Sequence, residues 1–390
     1  MSIPLKELCE LIVDCPHSTA PDEGAGYPLI RTPNVGCGYL DLSDVHRVSK
    51  ETYDVRNARA VPQPMDMILA REAPAGNVGI IREGQQVCLG QRTVLIRPNQ
   101  QKANPWFLNY YLNAPQQRHR LLSNANGATV SHVNMPIIRN LPVELPSLHQ
   151  QLRIASILRT YDNLIENNRR QISLLEEAAQ RLYKEWFVDL NFPGCEDAEI
   201  VDGIPVSWQE RKLSEIADVV MGQSPKSEYY NDEKRGMPFH QGVGSYGARF
   251  VKDDIYTTSV TRVGKAGSIL FSVRAPVGRL NYTRNDIVLG RGLAAINHKA
   301  GLQSFLYYML KERFFEEDII GNGSIFASIT KGELLAQKFR VTSIDLAEKF
   351  DSYCKLLDKK IERCDELIVA ASEARNRLLP KLMSGDIEVS

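Results

Sequence analysis

The amino-acid sequence contains one pattern twice, and this duplication limits the folds that the chain can adopt. Each copy places Ala-Pro-x-Gly after a short apolar run, at Ala73–Gly76 and at Ala275–Gly278. A Leu-Gly step and then a short apolar segment follow in both copies, WFLNYYL at 106–112 and SFLYYML at 304–310. Because the matches keep the same order, the sequence predicts two domains of the same fold.

A long helical pattern closes each copy. Its apolar residues recur at alternating steps of three and four, which is typical of a coiled coil. Each pattern runs for about 40 residues, or about 60 Å as a helix. Two ordinary core helices would also explain the apolar faces, but helices of this length would overhang a small core. We therefore expect the two helices to pack on each other, antiparallel if a pseudo-twofold axis relates the copies. The positions predicted to pack helix against helix are Ile154, Leu158, Tyr161, Ile165, Ile172, Leu175 and Leu182 in the first copy, and Phe350, Leu357, Ile361, Ile368 and Leu378 in the second.

The chain enters each long helix by a similar route. NGATVSHVNM at 126–135 corresponds to NGSIFASITK at 322–331, so an Asn-Gly turn is predicted to lead from each globular domain towards its helix. Pro146 immediately precedes the first helical pattern. Pro380 falls near the end of the second and is predicted to kink or end that helix, since proline lacks the amide hydrogen.

The segments between the helical patterns are short apolar runs broken by Gly, Pro and Asn, which indicate mixed strands and turns with a few helices. The predicted fold is therefore α+β, with two pseudo-symmetric globular domains separated by two long antiparallel coiled-coil helices. The predicted segments are a globular domain at 1–146, a central helix at 147–189, a second globular domain at 190–343 that begins with a linker at 190–207, and a C-terminal helix at 344–390.

Composition excludes several classes of protein. The chain has 47 basic and 47 acidic side chains, so it does not grip nucleic acid by bulk charge, although single basic loops remain available. Lys6, Glu7 and Glu10 interrupt the apolar N-terminal run, so we predict no signal peptide and expect a cytoplasmic location. The 7 cysteines form no CxxC pair and are expected to be reduced thiols.

Sequence motifs for catalysis are absent. The chain has no Walker GxxxxGK[ST], GxSxG or HExxH motif, and its 7 histidines are scattered without metal-ligand spacing. An adenine methyltransferase needs an Asp/Asn-Pro-Pro-aromatic loop, and the nearest segments, at Asn134 and Asn191, do not fit it. We therefore predict no catalytic residue, no metal site and no cofactor in this chain.

Polar side chains beside glycines remain as candidate binding residues. Glycine lets a backbone approach a ligand closely, Arg reads guanine, Asn and Gln read adenine, and Ser contacts bases or phosphates. RTPNVGCG at 31–38 matches HQGVGSYG at 240–247, and an arginine follows the Leu-Gly step in both copies. Any one such residue could equally be a solvated loop residue. The candidate DNA contacts are Arg31, Asn34, Arg71, Gln91 and Arg92 in the first copy, and Gln223, Gln241, Ser245, Tyr246, Lys265, Arg274 and Arg291 in the second.

Together these features resemble the specificity subunit of Type I restriction-modification systems. The resemblance rests on Leu-Pro-x-Leu-x-x-Gln-x-x-Ile-x-x-Ile-Leu-x-x-x-Asp at 145–162, where the first long helix begins, and on the duplicated Asn-Gly turn. The second copy keeps Asp358 opposite Asp162 but lacks the Pro and the Gln. The resemblance covers essentially the whole chain.

The resemblance implies two target-recognition domains that each read one half of a bipartite site in double-stranded DNA, with the paired helices setting the spacing. Because the two copies differ in sequence, we expect the two half-sites to differ and the full site to be asymmetric. It also implies that two methyltransferase subunits dock on the chain and that restriction/translocase subunits join them. S-adenosylmethionine, ATP and Mg²⁺ would belong to those partners, and this chain would be non-catalytic. Two other interpretations stay open on the residues alone: a duplicated coiled-coil scaffold that binds proteins without DNA, and a stand-alone modification enzyme.

Overall fold

The chain divides into two compact units by its internal contacts. Unit 1 comprises Met1–Leu164 and Ala370–Ser390, and unit 2 comprises Ile165–Val369. Each long helix contributes residues to both units, so the units cut across the four segments that the sequence predicts. The structure is a computed structural model, and the residues that it describes are 2–43, 45–123, 132–314 and 328–389.

Unit 1 contains a four-stranded sheet and a three-stranded sheet. Its strands are β1 (Ile3–Pro4), β2 (Cys9–Asp14), β3 (Tyr27–Ile30), β4 (Arg47–Val48), β5 (Met67–Ala70), β6 (Val78–Ile80), β7 (Cys88–Leu89), β8 (Thr93–Pro98) and β9 (Pro142–Val143). Its helices are α1 (Lys50–Arg56), α2 (Pro105–Asn113), α3 (Pro115–Ser123), α4 (Met135–Arg139), the first part of α5 (Leu148–Phe187) and the last part of α9 (Ile344–Ser384). The larger sheet has the antiparallel order β2-β8-β5-β6. The smaller sheet has the order β4-β3-β7, in which β3 and β7 are parallel.

Strand β5 is an inner strand of the larger sheet and is buried on both faces. Because successive side chains of a strand point to opposite faces, Met67 and Leu69 pack with residues of α2 and α5. Ile68 and Ala70 pack instead with residues of the smaller sheet. Helix α2 begins where Asn104 caps it, accepting a hydrogen bond from the Phe107 amide at 3.0 Å. The smaller sheet is thus held against one face of the larger sheet.

Unit 2 repeats this organisation with additional strands. Its strands are β10 (Ile200–Val201), β11 (Ile204–Pro205), β12 (Gln209–Lys212), β13 (Ala217–Met221), β14 (Tyr230–Asn231), β15 (Met237–His240), β16 (Tyr256–Thr257), β17 (Val263–Gly264), β18 (Ile269–Ser272), β19 (Leu280–Tyr282), β20 (Ile287–Leu289), β21 (Leu293–His298) and β22 (Lys338–Val341). Its helices are the last part of α5, α6 (Leu213–Ile216), α7 (Gln303–Phe314), α8 (Lys331–Ala336) and most of α9 (Ile344–Ser384).

The sheet topology confirms the duplication that the sequence predicts. The order β13-β21-β18-β19 repeats β2-β8-β5-β6, and β16-β15-β20 repeats β4-β3-β7, including its one parallel pair. Strands β14 and β17 extend the smaller sheet only in unit 2. The Ala73–Pro74 and Ala275–Pro276 peptide bonds are both cis. The α+β fold class is confirmed as well.

Helices α5 and α9 have 40 and 41 residues. In unit 2 the Trp186 ring lies 5.9 Å from the Phe350 ring, while Ile172 packs with Ile361, so the two helices run antiparallel there. They also run antiparallel in unit 1, where early residues of α5 meet late residues of α9. Pro380 lies inside α9, which continues to Ser384, so the proline does not end the helix at its own position.

The residues predicted to pack helix against helix also contact elements other than the opposite long helix. Phe350 contacts Tyr183 and Trp186 of α5, and it also contacts Phe305 and Tyr308 of α7. The heptad pattern predicts that one face of the helix is buried, but it does not show how many elements cover that face. Among the predicted positions, the buried ones are Ile154, Leu158, Ile165, Ile172, Phe350 and Ile361. Those that are partly buried are Tyr161, Leu175, Leu182, Leu357, Ile368 and Leu378.

The two Asn-Gly turns, at 126–127 and 322–323, lie outside the described residues. Within the ranges that the structure describes, no helix is both long enough and apolar enough to cross a membrane.

Candidate nucleic-acid interface

Three chain segments of unit 2 meet at one corner, where strands β13, β15 and β20 end. The Gly290 amide donates to the His240 carbonyl at 2.8 Å, and the Gly292 amide donates to the Gln241 carbonyl at 3.1 Å. A Cβ atom on Gly222 would lie 2.1 Å from the Gly290 carbonyl oxygen. Glycine is therefore required for the strand ends to approach this closely. We call this cluster of strand ends the reading corner of unit 2.

Four predicted DNA contacts lie at the reading corner. Gln223, Gln241 and Arg291 directly adjoin the meeting glycines and are exposed. The Val273 amide donates to the Gly292 carbonyl at 2.9 Å, and this hydrogen bond places the exposed Arg274 at the reading corner as well. The side chains of Arg274 and Arg291 make no hydrogen bond or ion pair with the described residues. An unpaired guanidinium can donate to a phosphate or to the edge of a guanine.

The other three predicted contacts of unit 2 have different surroundings. Ser245 is partly exposed at the end of a 3₁₀ turn, Val243–Ser245, beside the corner. The Tyr246 hydroxyl is buried without a hydrogen-bond partner in the described ranges, and burial raises its pKa. Lys265 lies before the start of β18, not at its end, and pairs with Asp286 at 2.7 Å. The structure therefore brings Ser245 to the corner, but not Lys265 or the Tyr246 hydroxyl.

Unit 1 has an equivalent corner. The Gly90 amide donates to the Ile30 carbonyl at 2.8 Å, and a Cβ atom on Gly90 would lie 2.4 Å from that oxygen. Arg31, Gln91 and Arg92 adjoin this crossing. The Gln91 side chain is held by hydrogen bonds with the loop between β2 and β3. The same glycine-dependent crossing thus places predicted contacts side by side in both units.

Asn34 and Arg71 lie inside unit 1, each only 6% exposed. Asn34 accepts a hydrogen bond from the Arg31 amide at 3.1 Å. Arg71 donates to both carboxylate oxygens of Asp14 at 2.8 Å and to the Val133 carbonyl at 2.8 Å. Contrary to the prediction that they contact DNA, neither side chain lies at the surface, because each satisfies buried polar groups that hold the loops together.

A charged network extends from Arg71 towards the surface. His132 lies 2.9 Å from Arg71 and also contacts Glu72, which pairs with Arg92 at 2.9 Å. Sequence reasoning missed Glu72 and His132. No local pattern could have found them, because the two residues lie far apart in the sequence. Arg92, in contrast with Arg291, therefore already has an acidic partner.

The structure aligns the residues of the two corners differently from the match drawn from the sequence. The amides of Gly36 and Gly247 each donate to the carbonyl three residues further on, so these glycines are equivalent. The match drawn from the sequence pairs Gly36 with Ser245 and is thus wrong by two residues. Likewise the equivalent of Arg291 is Gln91, so the two copies do not keep an arginine at the same place.

No group of three His, Cys, Asp or Glu in the described ranges could hold a metal ion. The cysteines are free thiols. Burial raises the pKa of Cys9 to about 12 and, against the effect of Arg56, that of Cys88 to about 11, so both thiols are protonated and unreactive at neutral pH.

A family model described as the Type I restriction modification DNA specificity domain matches residues 1–177 and again residues 205–347. The chain belongs to this family. The "Putative type I restriction enzyme MjaX specificity subunit" of Methanocaldococcus jannaschii is 29% identical, over 99% of this chain and 93% of its own length. The type I restriction enzyme MjaIX specificity subunit of the same organism is 24% identical, over 83% of this chain and 78% of its own. The crystal structure of a Type-I restriction-modification system S subunit from M. genitalium shares the fold, with a TM-score of 0.59 and 16% identity over 100% of this chain and 96% of that one.

The two specificity domains of this chain differ where their corners are equivalent. Among the described residues, Arg274 and Arg291 of the second domain have no hydrogen-bonding or acidic partner for their side chains. Glu72 of the first domain, by contrast, is paired with Arg92 and His132. The two corners therefore offer different hydrogen-bonding groups on one backbone. The equivalent pairs with polar side chains, first domain then second, are Glu72 and Arg274, and Gln91 and Arg291. The buried Ile30 and the buried His240 are also equivalent, but neither side chain is offered at the surface.

An aspartate of a long helix ties each specificity domain to the helices. In unit 1, Asp162 accepts a hydrogen bond from the Tyr110 hydroxyl and pairs with Arg375 at 2.6 Å. In unit 2, Asp358 pairs with Arg249 at 2.6 Å. The sequence identifies both aspartates as matching positions, but not their partners. The arginine comes from a long helix in one unit and from the globular part in the other.

Proposed function

We propose that this chain is the specificity subunit of a Type I restriction-modification complex. Each specificity domain reads one half of a bipartite site in double-stranded DNA. The observation that supports this most directly is a single backbone plan, repeated in both domains, with different side chains at equivalent positions of the reading corner. Two domains with the same backbone arrangement can bind the same DNA duplex in the same way. Different side chains at equivalent positions allow them to recognise two different half-sites. The full site is therefore asymmetric.

The two long helices set the spacing between the half-sites in this proposal. Each of α5 and α9 is one uninterrupted helix that supplies residues to both units. Readers on one face of a duplex lie about one helical turn apart, or about 34–36 Å. A pair of packed helices resists bending better than a loop linker, so it suits a fixed spacing.

The chain itself is non-catalytic in this proposal, and two methyltransferase subunits dock on it. Exposed apolar residues occupy equivalent outward positions on the two helices, Leu148 and Ile157 on α5 and Ile344 and Tyr353 on α9. Equivalent apolar positions suit two copies of one partner. Restriction/translocase subunits complete the complex. S-adenosylmethionine, ATP and Mg²⁺ bind to those partners.

The DNA affinity of the isolated chain is weak and sensitive to salt. The chain has 47 basic and 47 acidic residues, so few phosphate contacts can be made without partner subunits. Gel shifts with random duplex DNA, with and without methyltransferase subunits, test this part of the proposal.

Methylome sequencing tests the proposal as a whole. The chain is expressed with its methyltransferase subunits in a host without adenine methylation. We expect one asymmetric bipartite motif. Replacing residues 190–343 with the second domain of a relative should change one half-site and leave the other intact. Methylation that does not depend on this chain, or a change at both half-sites, would contradict the proposal.

A further inference from the structure

His240 ends strand β15 at the root of the reading corner of unit 2 and is only 1% exposed. Its Nδ1 lies 2.8 Å from the Ser245 hydroxyl oxygen, and its Nε2 lies 2.9 Å from a carboxylate oxygen of Asp253. Both ring nitrogens therefore have polar partners. A buried imidazole that is bonded on both sides is held in one orientation.

Asp253 determines the orientation of the ring. Burial raises the pKa of Asp253, but hydrogen bonds from His240 and Asn285 outweigh that effect, and the net pKa is lowered. The second carboxylate oxygen accepts a hydrogen bond from the side-chain amide of Asn285 at 2.9 Å. An ionised carboxylate only accepts hydrogen bonds. Nε2 of His240 therefore donates to Asp253, and Nδ1 is turned towards Ser245.

The ring connects the two ends of the loop at the corner. Gln241, an exposed candidate reader, follows His240 directly, and Ser245 ends the turn. The Lys252 amide donates to the Ser245 carbonyl at 2.8 Å, which joins the turn to the next segment. Rotation of the imidazole would remove its contact with the Ser245 hydroxyl, which also lies 3.3 Å from the Gly242 carbonyl oxygen, and would loosen the short turn between the two candidate readers.

Unit 1 builds its equivalent turn without an imidazole. Ile30 stands at the position of His240 and packs in an apolar cluster. The side chain of Asn34 stabilises that turn instead, accepting from the Arg31 amide. The fold therefore does not require a histidine at this position, and the network is a particular property of the second domain.

We infer that His240 is a positioning residue for DNA recognition. It holds Ser245 and thereby fixes the Val243–Ser245 turn, and the base preference of the second specificity domain depends on it. This inference rests on the proposed function.

Two substitutions of His240 each remove one of the two polar contacts of the ring and keep the other. An Asn side chain places its amide near the position of Nδ1, and a Gln side chain reaches the position of Nε2. His240→Asn thus keeps a partner for Ser245, whereas His240→Gln keeps only a partner for Asp253. The assay uses the complex of the full chain with its methyltransferase subunits. It compares methylation rates on DNA in which one half-site at a time is randomised.

We expect His240→Gln and Ser245→Ala each to reduce the preference for the native base in one half-site by about tenfold. His240→Asn should reduce it much less. The His240→Gln/Ser245→Ala double variant should be no worse than Ser245→Ala, because both changes remove the same interaction. The other half-site should be unchanged in every variant, and the matched variant Ile30→Val in unit 1 should alter neither half-site.

Equal losses with Asn and Gln, multiplied losses in the double variant, or losses at both half-sites would overturn the inference. Hydrogen exchange gives a second readout that does not depend on methylation. The Tyr246 amide donates to the Val243 carbonyl at 3.0 Å. It should exchange faster in His240→Gln than in His240→Asn. Equal exchange would overturn the inference, whereas methylation without sequence preference by the wild-type complex would overturn the proposed function.

Discussion

Arg249 links the second specificity domain to both long helices, and removing it should destabilise unit 2. Arg249 is 1% exposed. It lies 2.6 Å from an Asp358 oxygen of α9 and 3.2 Å from a Glu176 oxygen of α5. Its guanidinium carbon lies 3.6 Å from the centroid of the Tyr307 ring. Arg249→Met keeps much of the side-chain volume but leaves both carboxylates without this cation.

The expected loss in the free energy of unfolding depends on the partners that the two carboxylates keep after Arg249 is removed. Removing one partner of a buried ion pair costs about 3–5 kcal/mol, and the lost cation–π contact adds to this. Asp358 still accepts from the Ser304 hydroxyl at 2.6 Å, and Glu176 still has Lys311 at 3.6 Å. We therefore expect the lower end, about 3 kcal/mol. For a unit of roughly 200 residues this lowers the melting temperature by about 6–12 °C.

Thermal unfolding measures this loss, and peptide-resolved hydrogen exchange assigns it to unit 2. Arg375→Met is the matched control in unit 1. Its pair with Asp162 is more exposed, with 25% of the Arg375 side chain accessible, so we expect a loss of about 1 kcal/mol. Arg249→Met/Asp358→Asn should recover part of the stability, because it removes an orphaned charge. A loss below about 1 kcal/mol for Arg249→Met, or a double variant that recovers no stability, would show that the Arg249 ion pairs do not stabilise unit 2.

Three further predictions concern recognition, spacing and pH. Arg291→Ala should relax one half-site only, by about 1–3 kcal/mol if Arg291 reads a base; an equal loss on every DNA sequence would instead make it a phosphate contact. Inserting one heptad into both α5 and α9 should lengthen the spacing by about 10 Å, or about three base pairs, and methylome sequencing that returns the original spacing would contradict this. The folded pKa of Asp253 lies below its ordinary value of 3.8, so its contribution to stability is present above that value and is lost as the pH falls through the lowered pKa. Asp253→Asn should therefore cost more stability in denaturant unfolding at pH 7 than at about pH 2, and an equal cost at both would count against the ionised carboxylate.

The long helices and the duplication were predictable because both are visible in the order and spacing of residues along the chain. The spacing of apolar residues in α5 and α9 reports a buried face directly, and the Ala-Pro-x-Gly segments mark the same turn in both domains. The reading corner was only partly predictable. Glycines next to polar side chains identified Gln223, Gln241 and Arg291, which the structure brings together. The same reasoning selected Arg71 and Asn34, which are buried, because polarity alone does not show which way a side chain points.

The two related domains, the two long helices and the resemblance to a known family can all be recognised without coordinates. Periodicity, order and composition are properties of the chain in one dimension, and they survive without coordinates. Three other features are visible only in the folded chain: Asp358 pairs with Arg249, Glu72 contacts His132, and Gln91 is equivalent to Arg291. These are contacts or alignments between distant segments. They depend on how the sheets pack, because the free energy of burying a charge selects its partner in space and not in the sequence.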